Sequence, residues 1–439
     1  MTEQNKVYDV IYVGFGPATI FSVLKYPPKN ALIIEKGKSL KDRDPKEVIF
    51  GSGGAGAFSD SKLVSNPIVG GDINNVCKIS DEEFYKLSDE ILEYYNLFSH
   101  EDCEEFTWIP EDPYEIESKR LKLLKSKVSH IGTDRSKIVF QNMEYAIQEN
   151  CPIRFEEEVK EIIRLANFDG NPDIFAVITD KGRYETKKVA IGVGKRSSLV
   201  TDLVEQLDLK STDNLVQIGV RVEIHGDALK ELVDKFYDFK LVMKSYLGRW
   251  RTFCVNSGAA YVAVEKGEGF ISANGHAYAD KPSNGLTNFG IMGELVLGWG
   301  RKKQIELMKK VNKNTDKLLA QNISDFEGGL TSKKLKNKTS LKSNEYRLDN
   351  LWHYYPHKVC IELFDFLTEL QRNYKIEGHM FAPEIKLVNP LIRMTDKFEI
   401  YPNMYLIGDC SGYSRSIIQS GIIGMMVGEE ISKVSLAPQ

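Results

Sequence analysis

The sequence predicts an α/β protein in which the two ends of the chain build one parallel sheet and the middle supplies an inserted α+β domain. Three observations carry that expectation. Residues 7–35 alternate strand, glycine turn, helix and strand, residues 404–430 run strand, Gly-Asp and helix, and the stretch between about 200 and 380 follows neither pattern. At 439 residues the chain is also too long for one simple core.

The first unit opens with an apolar strand, Val7 to Val13, which runs into Gly14-Phe15-Gly16-Pro17-Ala18-Thr19. A helix to about Lys25 and a second strand, Ala31 to Ile34, follow, ending at Glu35-Lys36. Gly14 permits the tight turn, and Gly16 lets a pyrophosphate approach the positive end of the helix that Pro17 and Ala18 begin. Glu35 stands where a carboxylate accepts from an adenosine ribose. Thr19 occupies the position of the third glycine of a dinucleotide fingerprint, which should loosen helix-to-strand packing. An ordinary glycine turn in an α/β unit is the competing reading.

Next comes Phe50-Gly51-Ser52-Gly53-Gly54-Ala55-Gly56-Ala57-Phe58-Ser59-Asp60-Ser61-Lys62-Leu63, whose glycines let backbone pass close to a flat or charged body. Residues 80–130 are expected to be mostly helical, starting with Ser80 and Glu83 in capping-box spacing. A helix over 137–149 leads into short strands at 153–155, 158–165, 175–179, 184–187 and 189–193, an antiparallel meander that returns to the main sheet. From about 200 the pattern predicts strands 216–223 and 259–264, a loop at Ser272 to Gly275, and a long amphipathic helix over 299–320.

Bulk properties exclude several classes. A formal charge of −4 provides no global attraction to nucleic acid or membrane. No run of about 18 apolar residues and no signal-type N-terminus are present, so a cytoplasmic protein with no membrane contact is expected. The cysteines are scattered without a CxxC pair, against a disulfide framework, a zinc site or a dithiol relay. His353 and His357 have i, i+4 spacing, but Pro356 stands between them, and no metal is expected. Segment 301–347 holds 13 Lys and Arg against 5 Asp and Glu. A solvated face explains that excess, while nearby Tyr346, Trp352, Tyr354 and Tyr355 admit a nucleic-acid partner as the sharper reading.

Gly408-Asp409 closes the strand Met404 to Ile407, and a helix from Gly412 to Glu430 follows. Alone a Gly-Asp pair is common, but with the N-terminal fingerprint it reads as the second half of a flavin site, in which the Asp409 carboxylate would accept from a ribityl hydroxyl and the helix N-terminus would face the flavin pyrimidine edge. Small residues Ser420, Gly421 and Gly424 should let that helix lie close to the cofactor.

The pieces GFGPAT, GSGGAGAFSDSKL, QIGVRVE, RTFCVNSGAAYVA, ISANGHAY, FAPEIK and GDCSGYSRSIIQSGIIG resemble the signatures of a family of FAD-dependent dehydrogenases within the glutathione-reductase-like flavoproteins. The resemblance implies a glutathione-reductase-like FAD-binding Rossmann domain over 1–75, 135–200 and 380–439, a helical insertion over 76–134, and a substrate or cap domain over 201–379. It implies that Gly14, Gly16, Pro17, Ala18, Glu35 and Lys36 meet the ADP part. Gly53, Gly54, Ala55 and Ser59 would meet the pyrophosphate and flavin, Gly408 and Asp409 the ribityl chain, and Arg415, Ser416, Ile417 and Gln419 the ring region. Thr19 and Cys410 depart from the family pattern.

No second GxGxxG follows a predicted strand, so a dedicated nicotinamide domain is not visible. The expected chemistry is hydride transfer between flavin N5 and a small organic substrate, with NAD(P)H as a transient reductant over the same ring face. Arg415, His276 and Lys62 are the catalytic candidates, and Arg249, Arg251 and Asn256 are further polar residues of the inserted domain. A flavoprotein acting on a nucleobase or amino-acid adduct, and a non-catalytic FAD scaffold, are the alternatives.

Overall fold

The computed structural model describes residues 6–44, 50–109, 114, 116, 118–165, 174–194, 197–225, 227–267, 270–387 and 389–433. Two compact units emerge, Met1–Thr107 with Asp134–Thr212 and Asn389–Gln439, and Trp108–Thr133 with Asp213–Val388. The stretch 76–134, expected as one helical insertion, is divided between them at Thr107. Among its described residues helix covers Asp81–Leu97 and the first two residues of Thr133–Gln148, and Lys122–Leu124 and Lys127–His130 are strands.

In the first unit the chain runs β1 (Val10–Val13), α1 (Pro17–Lys25), β2 (Ala31–Ile34), α2 (Asp81–Leu97), α3 (Thr133–Gln148) and β3 (Ile153–Arg154). It continues through β4 (Val159–Leu165), β5 (Ile174–Thr179), β6 (Arg183–Thr186), β7 (Val189–Ile191), α4 (Leu199–Gln206), β8 (Met404–Leu406) and α5 (Ile417–Lys433). The central sheet is ordered β3, β2, β1, β7, β8, all parallel, with Glu399–Tyr401 added antiparallel at the edge. Numbered along the chain, that is the 3-2-1-4-5 order of a doubly wound sheet. The strands are short and apolar throughout because both faces are covered. Ile11, Val13, Leu32, Ile34, Val189, Ile191 and Leu406 cluster with Phe175 and Val177 of the meander and with Leu199 and Leu203 of α4. Alternate residues face helices, and Tyr12 bonds Ser22 of α1 at 3.0 Å. Of the strands expected in the meander, β4, β5 and β6 form it, completed by Val7–Tyr8, whereas β3, expected to open it, pairs parallel with β2 in the central sheet. Asp9 therefore divides the predicted first strand between two sheets.

The last helix starts at Ile417, not at Gly412. Gly408–Ser411 is a single 3-10 turn and Gly412 a turn glycine at φ +84°, where a Cβ would lie 2.7 Å from the Pro390 carbonyl oxygen. Small residues of α5 serve helix packing: a Cβ at Gly424 would fall 1.9 Å from the Ala18 carbonyl oxygen of α1, and one at Gly421 2.8 Å from Phe21. Thr19 does not loosen α1. Its hydroxyl donates to the Gly14 carbonyl at 2.8 Å in a buried position, so it ties the helix to the turn.

The second unit is an eight-stranded sheet, antiparallel but for the pair of Leu318–Asn322 with Tyr346–Leu348. Along its strand Val216–His225, Val216, Ile218, Val220, Val222 and Ile224 form a core with Val359, Leu363, Phe366 and Leu370 of the helix His357–Tyr374. The helix expected over 299–320 ends at Val311, Lys313 and Asn314 adopt positive φ, and Leu318–Asn322 is a fully buried strand. Ser272 to Gly275 is strand, within Phe270–Tyr278, and not loop. Gly275 is there for close approach, since a Cβ would sit 2.2 Å from the Asn256 amide nitrogen and 2.8 Å from Arg221.

Candidate functional site

The doubly wound order places a topological switch between β1 and β7, and open α/β sheets receive ligands just beyond the carboxyl ends of such strands. Gly14 leaves β1 there at φ +97°, and a Cβ on it would lie 2.5 Å from the Gly192 carbonyl oxygen beyond β7. Only glycine satisfies both that torsion and that contact. Gly14 N–H donates to Ile34 and Gly192 N–H to Val13, each at 2.8 Å, sewing the turn onto both flanking strands. Gly16 caps α1 in extended conformation with no side-chain cap and no acid in the first turn. A Cβ built on Gly16 or on Gly194 meets nothing within 4 Å. The positive end of α1 thus opens onto free space, the arrangement that favours a phosphate.

The carboxylate of Glu35, almost fully buried, accepts from Phe15 N–H at 2.8 Å and from Gly37 and Gly51 N–H at 2.9 Å each. It therefore clamps the turn, the end of β2 and the following loop together, a role the ribose expectation overlooked. Three of its roughly four lone-pair sites are used, which leaves capacity for one further donor. Lys36 lies 4.3 Å over the Phe50 ring and 4.0 Å from Glu158.

The glycine loop is packed, as its flanking aromatics suggested. Gly53 (φ +74°) donates to the Phe15 carbonyl at 2.8 Å. A Cβ on Gly54 would sit 3.5 Å from Gly16 Cα, and one on Gly56 would sit 3.1 Å from Pro17, so the loop crosses the start of α1. Ala55 is exposed, and Ser59 turns inward to bond the Gly56 carbonyl at 2.7 Å. Three residues not singled out from the sequence hold this loop and the turn at Leu40–Asp42 before it. Arg43 donates to the Ser52 and Gly54 carbonyls at 2.5 and 2.9 Å and stacks 4.3 Å from Phe58, Ser136 bonds Ser61 at 2.6 Å, and Glu144 accepts from Leu40 N–H at 2.9 Å. An Arg between glycine-rich segments is a faint signal; Ser136 and Glu144 sit on an ordinary amphipathic helix and carry none.

The carboxyl-terminal half reaches the same place. Ile407 N–H and the Cys410 thiol donate to the Ile191 carbonyl at 2.9 and 3.0 Å, and a Cβ on Gly408 would lie 3.1 Å from the Ala18 Cβ. Burial pushes the Cys410 thiol up to about 12, so it is a neutral packing group where the family pattern has glycine. Half-buried Asp409 accepts from Ser420 at 3.1 Å and Ser414 at 3.3 Å. Ser416 caps α5 by accepting from Gln419 N–H at 3.1 Å, and Ile417 begins the helix half-buried. Gln419, fully buried, donates to the carbonyls of Pro67 and Val69 at 3.0 Å each, and Arg415 N–H donates to Gly70 at 2.6 Å. Segment 66–72, not singled out from the sequence, is therefore part of this wall.

Of the catalytic candidates, Arg415 lies in the loop before α5 and not within the helix. Lys62 is buried in an ion pair with Asp60 at 3.0 Å, which makes it a structural cation. His276 belongs to the second unit, half-buried on Phe270–Tyr278 opposite Tyr261. There Arg249 and Arg251 pair with Glu294, and Asn256 donates to Asn288 at 3.0 Å. Each aromatic considered for base stacking has a partner inside its unit: Trp352 stacks on Phe326, Tyr355 bonds the Gly219 carbonyl, Tyr354 bonds Asp349, and Tyr346 packs on Phe381. Lys195 and Arg196 of the stretch after β7 lie outside the described residues. Among the described residues, no group of three or more His, Cys, Asp and Glu could hold a metal, and no helix is long and apolar enough to cross a membrane.

No protein-family model matches the chain. An uncharacterized protein of Clostridium beijerinckii is 22% identical over 482 residues, covering 98% of this chain and 81% of that one. Among solved structures, the Diels-Alderase PyrE3 of pyrroindomycin biosynthesis superposes with a TM-score of 0.41 at 11% identity, over 97% of this chain and 65% of that one. The p-nitrophenol 4-monooxygenase PnpA of Pseudomonas putida does so at 0.42 and 12%, over 98% and 80%. A geranylgeranyl bacteriochlorophyll reductase-like protein of Thermoplasma acidophilum does so at 0.40 and 12%, over 98% and 79%. The chain thus spans just under two thirds of the length of PyrE3. Likeness at these levels assigns neither family nor chemistry.

Proposed function

We propose that this chain is an FAD-dependent oxidoreductase whose first unit is a glutathione-reductase-like Rossmann domain. The observation that carries the reading is the convergence of both chain ends on one switch point: the open, uncapped start of α1 at Gly16 and the Gly408-Asp409 turn packed beside Ala18. The 3-2-1-4-5 sheet and the three-stranded meander support the same fold. The residues present fit the cofactor. The free N–H groups at the start of α1 would receive the pyrophosphate, the remaining acceptor site of Glu35 the adenosine ribose, and Asp409 a ribityl hydroxyl. Bound there, FAD would supply two-electron chemistry at N5. The chain's own contribution is positional: Glu35 holds the turn, Arg43 holds the glycine loop over α1, and Gln419 holds the 66–72 wall. The substrate is proposed to be a small organic molecule oxidised or reduced by hydride transfer.

Gly16 offers the sharpest test. Its conformation is extended and a Cβ on it would meet nothing within 4 Å, so Gly16→Val should leave a folded chain of nearly unchanged stability while blocking the pyrophosphate. Flavin content after purification and far-UV circular dichroism measure the two effects. A folded variant that retains stoichiometric FAD would overturn the assignment.

A further inference from the structure

A groove of about 350 Å³ opens in the first unit, outside the turn at Gly14 and Gly16. Lys210, Thr212, Leu391 and Arg393 line it from a two-stranded ribbon, joined by Asn75 and Tyr413. The ribbon pairs Ser211 with Ile392 and Thr212 with Leu391, antiparallel. Arg393 N–H donates to the Lys210 carbonyl at 2.8 Å, which extends the register by one and sets Lys210 opposite Arg393. Side chains alternate along such a ribbon. Ile392 is buried in the core, whereas exposed Lys210, Thr212 and Arg393 and half-buried Leu391 share the opposite face, and these four line the groove together with Ser211.

Like charges set directly opposite each other in a β-pair are destabilising. Among the described residues neither Lys210 nor Arg393 has an ion-pair partner. The Asp72 carboxylate, three residues before Asn75, is held by the Asn75 amide at 2.8 Å. Burial raises the Tyr413 phenol above its ordinary range, so it stays a neutral hydroxyl donor with an apolar ring. Two uncompensated cations, hydroxyl donors and an apolar side formed by Leu391 and Tyr413 complement an anion attached to a flat apolar body.

We propose that this groove is a binding subsite for a phosphate-bearing ligand with an aromatic or similarly flat body, the phosphate seated between Lys210 and Arg393. The ligand's charge would relieve the repulsion built into the ribbon, and two separated cations favour a dianion over a carboxylate. The subsite does not depend on the flavin assignment.

The test is calorimetric titration with phenyl phosphate, in low salt and with FAD in excess to fill the dinucleotide site. Benzoate and benzyl alcohol serve as monoanionic and neutral probes. Phenyl phosphate is expected to bind saturably, more weakly as salt screens the cations. Lys210→Ala and Arg393→Ala should each weaken it by roughly tenfold, or about 1.4 kcal/mol. Lys187→Ala, which removes an exposed cation already paired with Asp9, should change nothing. Circular dichroism verifies the fold of each variant, and flavin content is read separately, so loss of flavin with retained phosphate binding would strike only the cofactor reading. Absence of saturable binding, equal affinity in the variants, or benzyl alcohol or benzoate binding as tightly as phenyl phosphate would overturn the proposal.

Discussion

Glu35 illustrates how a residue can be placed correctly and read incompletely. Its position at the end of β2 follows from the strand pattern, but its carboxylate spends three acceptor sites on the amides of Phe15, Gly37 and Gly51. These donors lie on three different segments, so the side chain acts as a bracket before any ligand arrives. Glu35→Ala is expected to lower the unfolding free energy of the cofactor-free protein by about 2 to 6 kcal/mol, because the two buried donors, Phe15 and Gly51, each cost roughly 1 to 3 kcal/mol when stranded. Urea unfolding without added flavin measures this. An unchanged midpoint would return Glu35 to a purely ligand-binding role.

At the scale of elements, the contact between α1 and α5 decides the geometry of the site. Gly424 lets the two helices meet at the Ala18 backbone, and Gly428 does the same one turn on, where a Cβ would come within 2.7 Å of Ser22. Because Ala18 belongs to the first turn of α1, spreading the helices also moves the open N-terminus at Gly16. Gly424→Leu should therefore destabilise by about 3 kcal/mol or more, at the upper end of overpacking costs, and reduce flavin affinity together with stability. Thermal melts and flavin titration check the pair. A variant as stable as the parent would show that α1 and α5 do not touch through their backbones. The glycine spacing on α5 is plain in the sequence, whereas its partner is not: a small-residue stripe fits a cofactor or a helix equally well until the facing surface is known.

For the molecule as a whole, the dinucleotide reading predicts selectivity between flavins. On that reading FAD would engage both chain ends, while FMN, which lacks the adenosine half, would reach only the Asp409 side. FAD at a hundredfold excess over its dissociation constant should stabilise by about 2.7 kcal/mol. FMN at the same concentration should shift the thermal midpoint far less. Equal shifts would mean that the Gly14 to Glu35 half is unused. The two units also differ in how openly the sequence displays them. The first is built from short strands buried on both faces and helices with clear starts, and Ser80 accepts from Glu83 N–H as its capping-box spacing promised. The second hides polar residues inside: Arg221 pairs with Glu384 at 2.5 Å, both completely buried, on the face of Val216–His225 opposite its apolar core.

What the sequence determined by itself was local: strand and helix periods, the glycine turn at Gly14, the meander and the α/β class. These follow from backbone sterics and from which side of an element can be buried, and both act over a few residues. The tertiary structure decided what those residues touch. Leu318–Asn322 is a strand because it inserts between Gly378–Lys386 and Tyr346–Leu348, although its apolar residues also continue a helical pattern. Gly275 sits mid-strand because Asn256, Asn288 and Arg221 crowd it, and Lys210 faces Arg393 only because a ribbon closes between segments far apart in the chain. A pattern records that a side chain wants burial or a partner; which partner it finds depends on chain closures that no local pattern encodes.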